Sequence, residues 1–340
     1  MASAGKHQAY LDAERQLFDS EDVAVTQRYV PLERLRGKVR VLEAGTGPPV
    51  LFVSGAMTTG AIFARMAAAL PDYRCLLLER PGTGLTSPLL PAPTNLESQQ
   101  QAADVLLCDV LDGLDIEAAH VVSTALGSWM TYRSAAMNPD RFNSIFGLGF
   151  QGGARVSTAS ASTRVQVSHR IKPLAAPTTH RKVRSLVKSL GMGGALESGD
   201  FSDPMVDWMV ALFRNTDTFR NESLHNPQPI GLRGPNRDVR HPTELLKKLH
   251  MRVGLLWGED DVFGGRSSAQ AFAAELPNSR LQLIDGAGHA PWLGASKHAS
   301  EALRAHLAEA RTSARREEAP HCEEERSSSR QDLRNGIVSG

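Results

Sequence analysis

Between Tyr29 and Phe150 short apolar runs alternate with stretches of helical period. Val39 to Leu42, Val50 to Ser54, Leu76 to Leu78, Ala119 to Ser123 and Ile145 to Phe150 predict strands, several of them apolar on both faces, as buried parallel strands are. Ile62 to Leu70, Gln99 to Leu114 and Trp129 to Asn138 predict the helices between them. The rhythm resumes late in the chain, with strands at Met251 to Trp257 and Arg280 to Ile284 and a helix at Ser267 to Leu276. A closing helix spans Lys297 to Ala310, with Ala302, Leu303, His306 and Leu307 on one face. Such alternation predicts an α/β fold: a mostly parallel central sheet with helices on both faces.

The stretch from about Gly152 to Leu249 breaks the rhythm. Val183, Leu186, Val187 and Leu190 form one apolar stripe, and Met205, Trp208, Met209, Leu212 and Phe213 a second, at spacings of three and four that predict two amphipathic helices. Pro and Gly then crowd the run Asn226 to Pro242, a loop returning to the sheet. A helical insertion in a parallel-sheet domain predicts a lid over the carboxyl ends of the strands, where ligands bind in such folds. The expected organisation is an N-terminal segment at 1–28, a core at 29–151 and 250–310, a helical lid at 152–249, and a tail at 311–340. That tail mixes charge with Ser and holds almost no large apolar residue, so disorder is expected there.

Composition changes this picture little. Of 340 residues 41% are hydrophobic and 22% charged, which suits a globular chain and excludes collagenous and wholly disordered classes. Lys and Arg number 38 against 37 acidic residues, a net charge of +1, so nothing recommends a nucleic acid as partner. No uncharged apolar stretch is long enough to span a bilayer, and no membrane association is expected. The first residues carry charge and lack the apolar core of a signal peptide. Cys75, Cys108 and Cys322 are odd in number and widely spaced, which indicates neither a disulfide framework nor a metal site. A reduced, cytoplasmic protein is expected.

Five segments in order carry a resemblance to the α/β-hydrolase superfamily. They are Gly47 to Gly55 (GPPVLFVSG), Leu76 to Pro88 (LLLERPGTGLTSP), Ala119 to Phe142, Leu255 to Gly265 (LLWGEDDVFGG) and Leu283 to Leu293 (LIDGAGHAPWL). Respectively they are similar to the strand entering the family's oxyanion loop, its Gly-x-Gly-x-Ser/Thr turn, its nucleophile elbow, its acid loop and its histidine loop. The elbow pattern G-x-S-x-G reads Ser123, Thr124, Ala125, Leu126, Gly127 here, so the nucleophile position is Ala125, which has no nucleophilic atom. Shifting the register to Ser123 or Ser128 would place the hydroxyl in the strand or on the helix. The Ser123 and Thr124 hydroxyls read as local hydrogen-bond formers.

The other two triad positions hold the family's residue types: Asp261 as the acid, with Asp260 its rival by adjacency, and His289 as the base. By the same resemblance the oxyanion amides are those of Ala56 and Leu126, with Ser54 where the family's oxyanion loop usually has His. Glu79 and Arg80 read as an ion pair near the sheet edge. Met57, Phe63, Trp129, Met209 and Trp292 are candidates to line an apolar cavity. No cofactor and no metal are implied; the expected partner is a small-molecule ligand.

An imidazole oriented by a carboxylate moves a proton without a serine. The resemblance therefore implies His289/Asp261 acid-base chemistry on a small, largely apolar molecule without an acyl-enzyme, of lyase, isomerase or cofactor-free oxygenase type. Two alternatives stay open. One is a pseudoenzyme that binds a ligand or protein. The other is a hydrolase that uses His-activated water or whose serine was replaced by design.

Overall fold

The computed structural model describes residues 2–156, 178–227, 230–231 and 234–312. Eight strands form one sheet: β1 (Thr26–Leu32), β2 (Gly37–Ala44), β3 (Pro49–Val53), β4 (Arg74–Glu79), β5 (Ala119–Thr124), β6 (Phe142–Gln151), β7 (Arg252–Gly258) and β8 (Ser279–Ile284). Their order is β1-β2-β4-β3-β5-β6-β7-β8. β2 is antiparallel to both its neighbours, and all pairs from β4 to β8 are parallel. The seven strands read from the sequence lie where they were expected, within three residues at each end. β1 was not anticipated, because five of its seven residues are exposed.

Doubly apolar strands follow from two cores. Val50 and Phe52 of β3 point into one, Leu51 and Val53 into the other, and Val122 against Val121 repeats the pattern on β5. The second core is closed by α3 (Leu96–Gly113), α4 (Ala125–Met137) and α9 (Arg266–Ala274). α3 starts at a capping box in which Asn95 accepts from the Ser98 N–H and Ser98 from the Asn95 N–H. The first core holds the short helix α2 (Ala64–Ala68) and the last helix, α10, at 296–312.

The first core also takes α1 (Ala2–Ser20), a helix that no strong apolar period announces. Tyr10, Leu17 and Phe18 are wholly buried there. α1 packs chiefly on α7 (Asp203–Asn215) of the insertion. The other described α-helices between β6 and β7 are α5 (His180–Ser189), α6 (Gly193–Ser198), α8 (Thr218–His225) and one short turn at Thr243–Leu246. Both expected stripes are helical: Val183 and Val187 of α5 and Met205, Trp208, Met209, Leu212 and Phe213 of α7 are buried in the first core. The tail expected at 311–340 lies outside the described residues from 313 on. No helix among the described residues is long and apolar enough to cross a membrane.

Candidate active site

β5 runs into α4 without an intervening loop, and the junction forces Ala125 to a φ of +46°. A non-glycine residue there pays for its Cβ with steric strain. The reversal holds because α4 abuts the end of β3 so closely that a Cβ on Gly127 would lie 2.2 Å from the Val53 carbonyl oxygen. The outgoing end of β6 then gathers the site. Gly152 N–H donates to the Ala125 carbonyl at 3.0 Å, and Phe150 N–H donates to Asp261 Oδ2 at 3.1 Å. Gly149, at φ +67°, passes so near the His289 carbonyl oxygen that a Cβ would sit 2.3 Å from it. Three segments distant in sequence therefore meet on four consecutive residues of one strand end.

His289 Nδ1 and Asp261 Oδ2 share a hydrogen bond of 3.0 Å. The Asp261 side chain is fully buried and also accepts from the Phe263 N–H at 2.9 Å, which fixes the carboxylate at the turn after β7. Asp260, its neighbour, is exposed. The His289 ring meets the Phe263 ring edge to face at 4.7 Å, and its backbone N–H donates to the Leu190 carbonyl just after α5. In the tautomer whose Nδ1–H donates to Asp261, Nε2 carries a lone pair on an imidazole whose side chain is 16% exposed. An Nε2 so placed can accept a proton.

Ala125 carries no hydroxyl, thiol or amine on its side chain. The hydroxyls of Ser123, Thr124 and Ser128 are buried and have no hydrogen-bond partner among the described residues. Opposite Ala125 lies the loop after β3: a Cβ on Gly55 would stand 3.2 Å from the Ala125 Cβ. The loop is folded on itself, Ser54 Oγ donating to the Thr58 carbonyl and Thr58 Oγ1 to the Gly55 carbonyl. Ala56 is exposed at its tip, and Leu126 sits in the first turn of α4, where N–H groups have no acceptor within the helix.

Burial shows which neighbours were misread. Glu79 and Arg80 do not pair, because successive residues at a strand end leave on opposite sides. Glu79 instead receives Arg40 Nη1 at 2.9 Å and the Tyr10 hydroxyl at 2.9 Å, with Glu14 on the far side of Arg40 at 2.6 Å. Burial, reinforced by Glu14 and opposed by Arg40, pushes the Glu79 carboxyl up to about 7. Arg80 reaches Glu222 of α8 at 2.7 Å. Trp129 stacks on His241, donates to the Val239 carbonyl, and lines a cavity of about 60 Å³ with Leu89, Leu106, Met130 and Glu222. Met57, Met209 and Trp292 pack in or against the first core and do not line that cavity. Glu222, Glu14 and Tyr10 carried no sequence signal, since each sits in a helix rich in polar residues and its bond to Arg80, Arg40 or Glu79 is made only through tertiary packing.

Known proteins resemble this chain over the same ground. The sequence model of the alpha/beta hydrolase family matches residues 50–304. A 2-hydroxy-6-oxononadienedioate/2-hydroxy-6-oxononatrienedioate hydrolase of Pseudomonas sp. is 25% identical over 271 residues, covering 77% of this chain and 89% of that protein. Among solved structures, carboxylesterase CesB of Bacillus subtilis superposes with a TM-score of 0.71 at 17% identity, covering 89% of this chain and 98% of its own. The 2-hydroxy-6-oxo-6-phenylhexa-2,4-dienoate hydrolase of Rhodococcus sp. strain RHA1 superposes with a TM-score of 0.65 at 18% identity, covering 84% and 99%. With three quarters of its length matched and the strand order above, the chain belongs to the alpha/beta hydrolase family.

Proposed function

We propose that the protein acts on a small, largely apolar molecule by acid-base chemistry, with His289 as the general base, Asp261 orienting it, and no covalent acyl-enzyme. The observation that carries this reading is a hydrogen-bonded, desolvated Asp-His pair beside a left-handed strand-to-helix junction occupied by Ala125. In this reading Ala125 stands where hydrolases of the family place their nucleophilic serine. A buried carboxylate fixes the imidazole tautomer and stabilises the imidazolium that forms when a proton is taken. The Ala56 and Leu126 amides supply the complementary half, receiving negative charge that develops on a substrate oxygen as the proton leaves. The helical insertion serves as a lid: Leu190, just after α5, accepts from the His289 N–H, and Glu222 of α8 reaches the loop after β3. The hydrolases to which this chain is similar support a carbonyl-bearing substrate, whose enolate or oxyanion such amides would hold.

The test restores the missing atom. Ala125→Ser supplies a hydroxyl at the junction and is expected to hydrolyse p-nitrophenyl acetate, where the wild type shows no His289-dependent rate. Adding His289→Ala to that variant should lower kcat by about 10² to 10⁴. Wild-type ester hydrolysis at ordinary serine-hydrolase rates would contradict the reading.

A further inference from the structure

Arg80 and Glu222 form an ion pair with side chains 1% and 2% exposed, joined by bonds of 2.7 and 3.3 Å. A pair so buried is costly to assemble unless its remaining donors and acceptors are satisfied. Here they are satisfied almost wholly by one loop. Arg80 Nε donates to the Ser54 carbonyl at 3.0 Å and Nη2 to the Gly55 carbonyl at 2.6 Å, while Glu222 Oε2 accepts the Met57 N–H. The loop between β3 and the helix at Gly60–Phe63 is thus gripped at two carbonyls and one amide on either side of Ala56. Met57 is held at φ +63°, a left-handed conformation uncommon for a residue with a side chain.

The two halves of the grip come from different parts of the chain. Arg80 directly follows β4 in the core, whereas Glu222 belongs to α8 of the insertion. α8 is independently anchored to the turn beyond Arg80: Thr218 Oγ1 accepts the Gly84 N–H at 2.8 Å, and Asn221 Nδ2 donates to the Gly82 carbonyl at 3.0 Å. Those two contacts hold the helix and do not touch residues 54–58.

We propose that Glu222 is a positioning residue for the loop at 54–58, so that the Ala56 amide is set in its anion-binding position only while α8 of the insertion is docked. Undocking of the insertion and loss of the oxyanion pocket are then one event. The inference rests on the functional reading above for what the loop does, but not for how the loop is held.

Two measurements on the full chain separate these. Amide hydrogen exchange read by mass spectrometry should rise about tenfold or more at residues 55–58 in Glu222→Gln, with β5 and β7 protected as in wild type. Asn221→Ala, which loses a contact of the same helix, should leave that loop protected. In the Ala125→Ser background, Glu222→Gln should lower kcat on p-nitrophenyl acetate about 10²-fold with KM within a few fold, because displaced oxyanion donors are missed in the transition state. If Glu222→Gln folds poorly, Glu222→Asp keeps the charge and withdraws it by one methylene; it should give the same signature with smaller amplitude. Unchanged loop exchange in a folded Glu222 variant overturns the proposal, as does a loosened loop with undiminished kcat. An Ala125→Ser protein inert before Glu222 is altered would contradict the functional reading instead, and the grip would then stand or fall on exchange alone.

Discussion

Ala125 is the residue on which the functional account turns. Its φ of +46° is a backbone cost that a glycine would not incur, and it persists because α4 is wedged against the end of β3. Ala125→Gly should therefore stabilise the fold, by about 0.5–1 kcal/mol in urea denaturation, although elsewhere in a helix the same change destabilises. A loss of stability would show that the junction is not left-handed. At this scale the sequence was informative where chemistry and turn geometry coincide. His289, Asp261 and Gly127 sit in local patterns that can be read along the chain, whereas it is burial and the bond to His289 that separate Asp261 from the exposed Asp260. Arg80 was misassigned because adjacency suggested Glu79, whereas the pleat sends the two side chains to opposite sides.

Elements were legible to the extent that their apolar period matched their burial. Strands β3 to β7 bury residues into both cores and so appear as apolar runs. α1 and α8 were not foreseen for the opposite reason: α8 reads TFRNESLH and α1 mixes charge among its buried residues. Yet α1 buries Tyr10, Leu17 and Phe18 and contributes Glu14 to the cluster around Arg40. It is an integral wall of the first core. Leu17→Ala should accordingly cost about 2–5 kcal/mol, as a truncation that leaves a cavity does, while a surface helix would lose well under 1. Equilibrium unfolding of the full chain distinguishes the two.

At the scale of the whole molecule, buried titratable groups set a dependence on pH. Burial lowers His120 to about 4 and His241 and His306 to about 3, each also pressed down by a nearby arginine. Between these values and the ordinary histidine range near 6.5 the unfolded chain binds protons that the folded chain refuses, so stability falls as pH drops through this window. Glu79, raised to about 7, acts oppositely, since its folded form takes up a proton between roughly 7 and 4.5 that the unfolded form does not. Three histidines outweigh one carboxyl. Unfolding free energy should fall on the order of 2–3 kcal/mol per pH unit between about pH 6 and 4.5; a flat profile there would mean these histidines are solvated. The central claim, an intact base beside a position without a nucleophile, is tested most directly by exposing the protein to a fluorophosphonate and measuring intact mass. The account predicts no adduct on the wild type, one adduct at position 125 in Ala125→Ser, and its loss when His289→Ala is added. A wild-type adduct on Ser123, Thr124 or Ser128, or an unreactive Ala125→Ser protein, would contradict it.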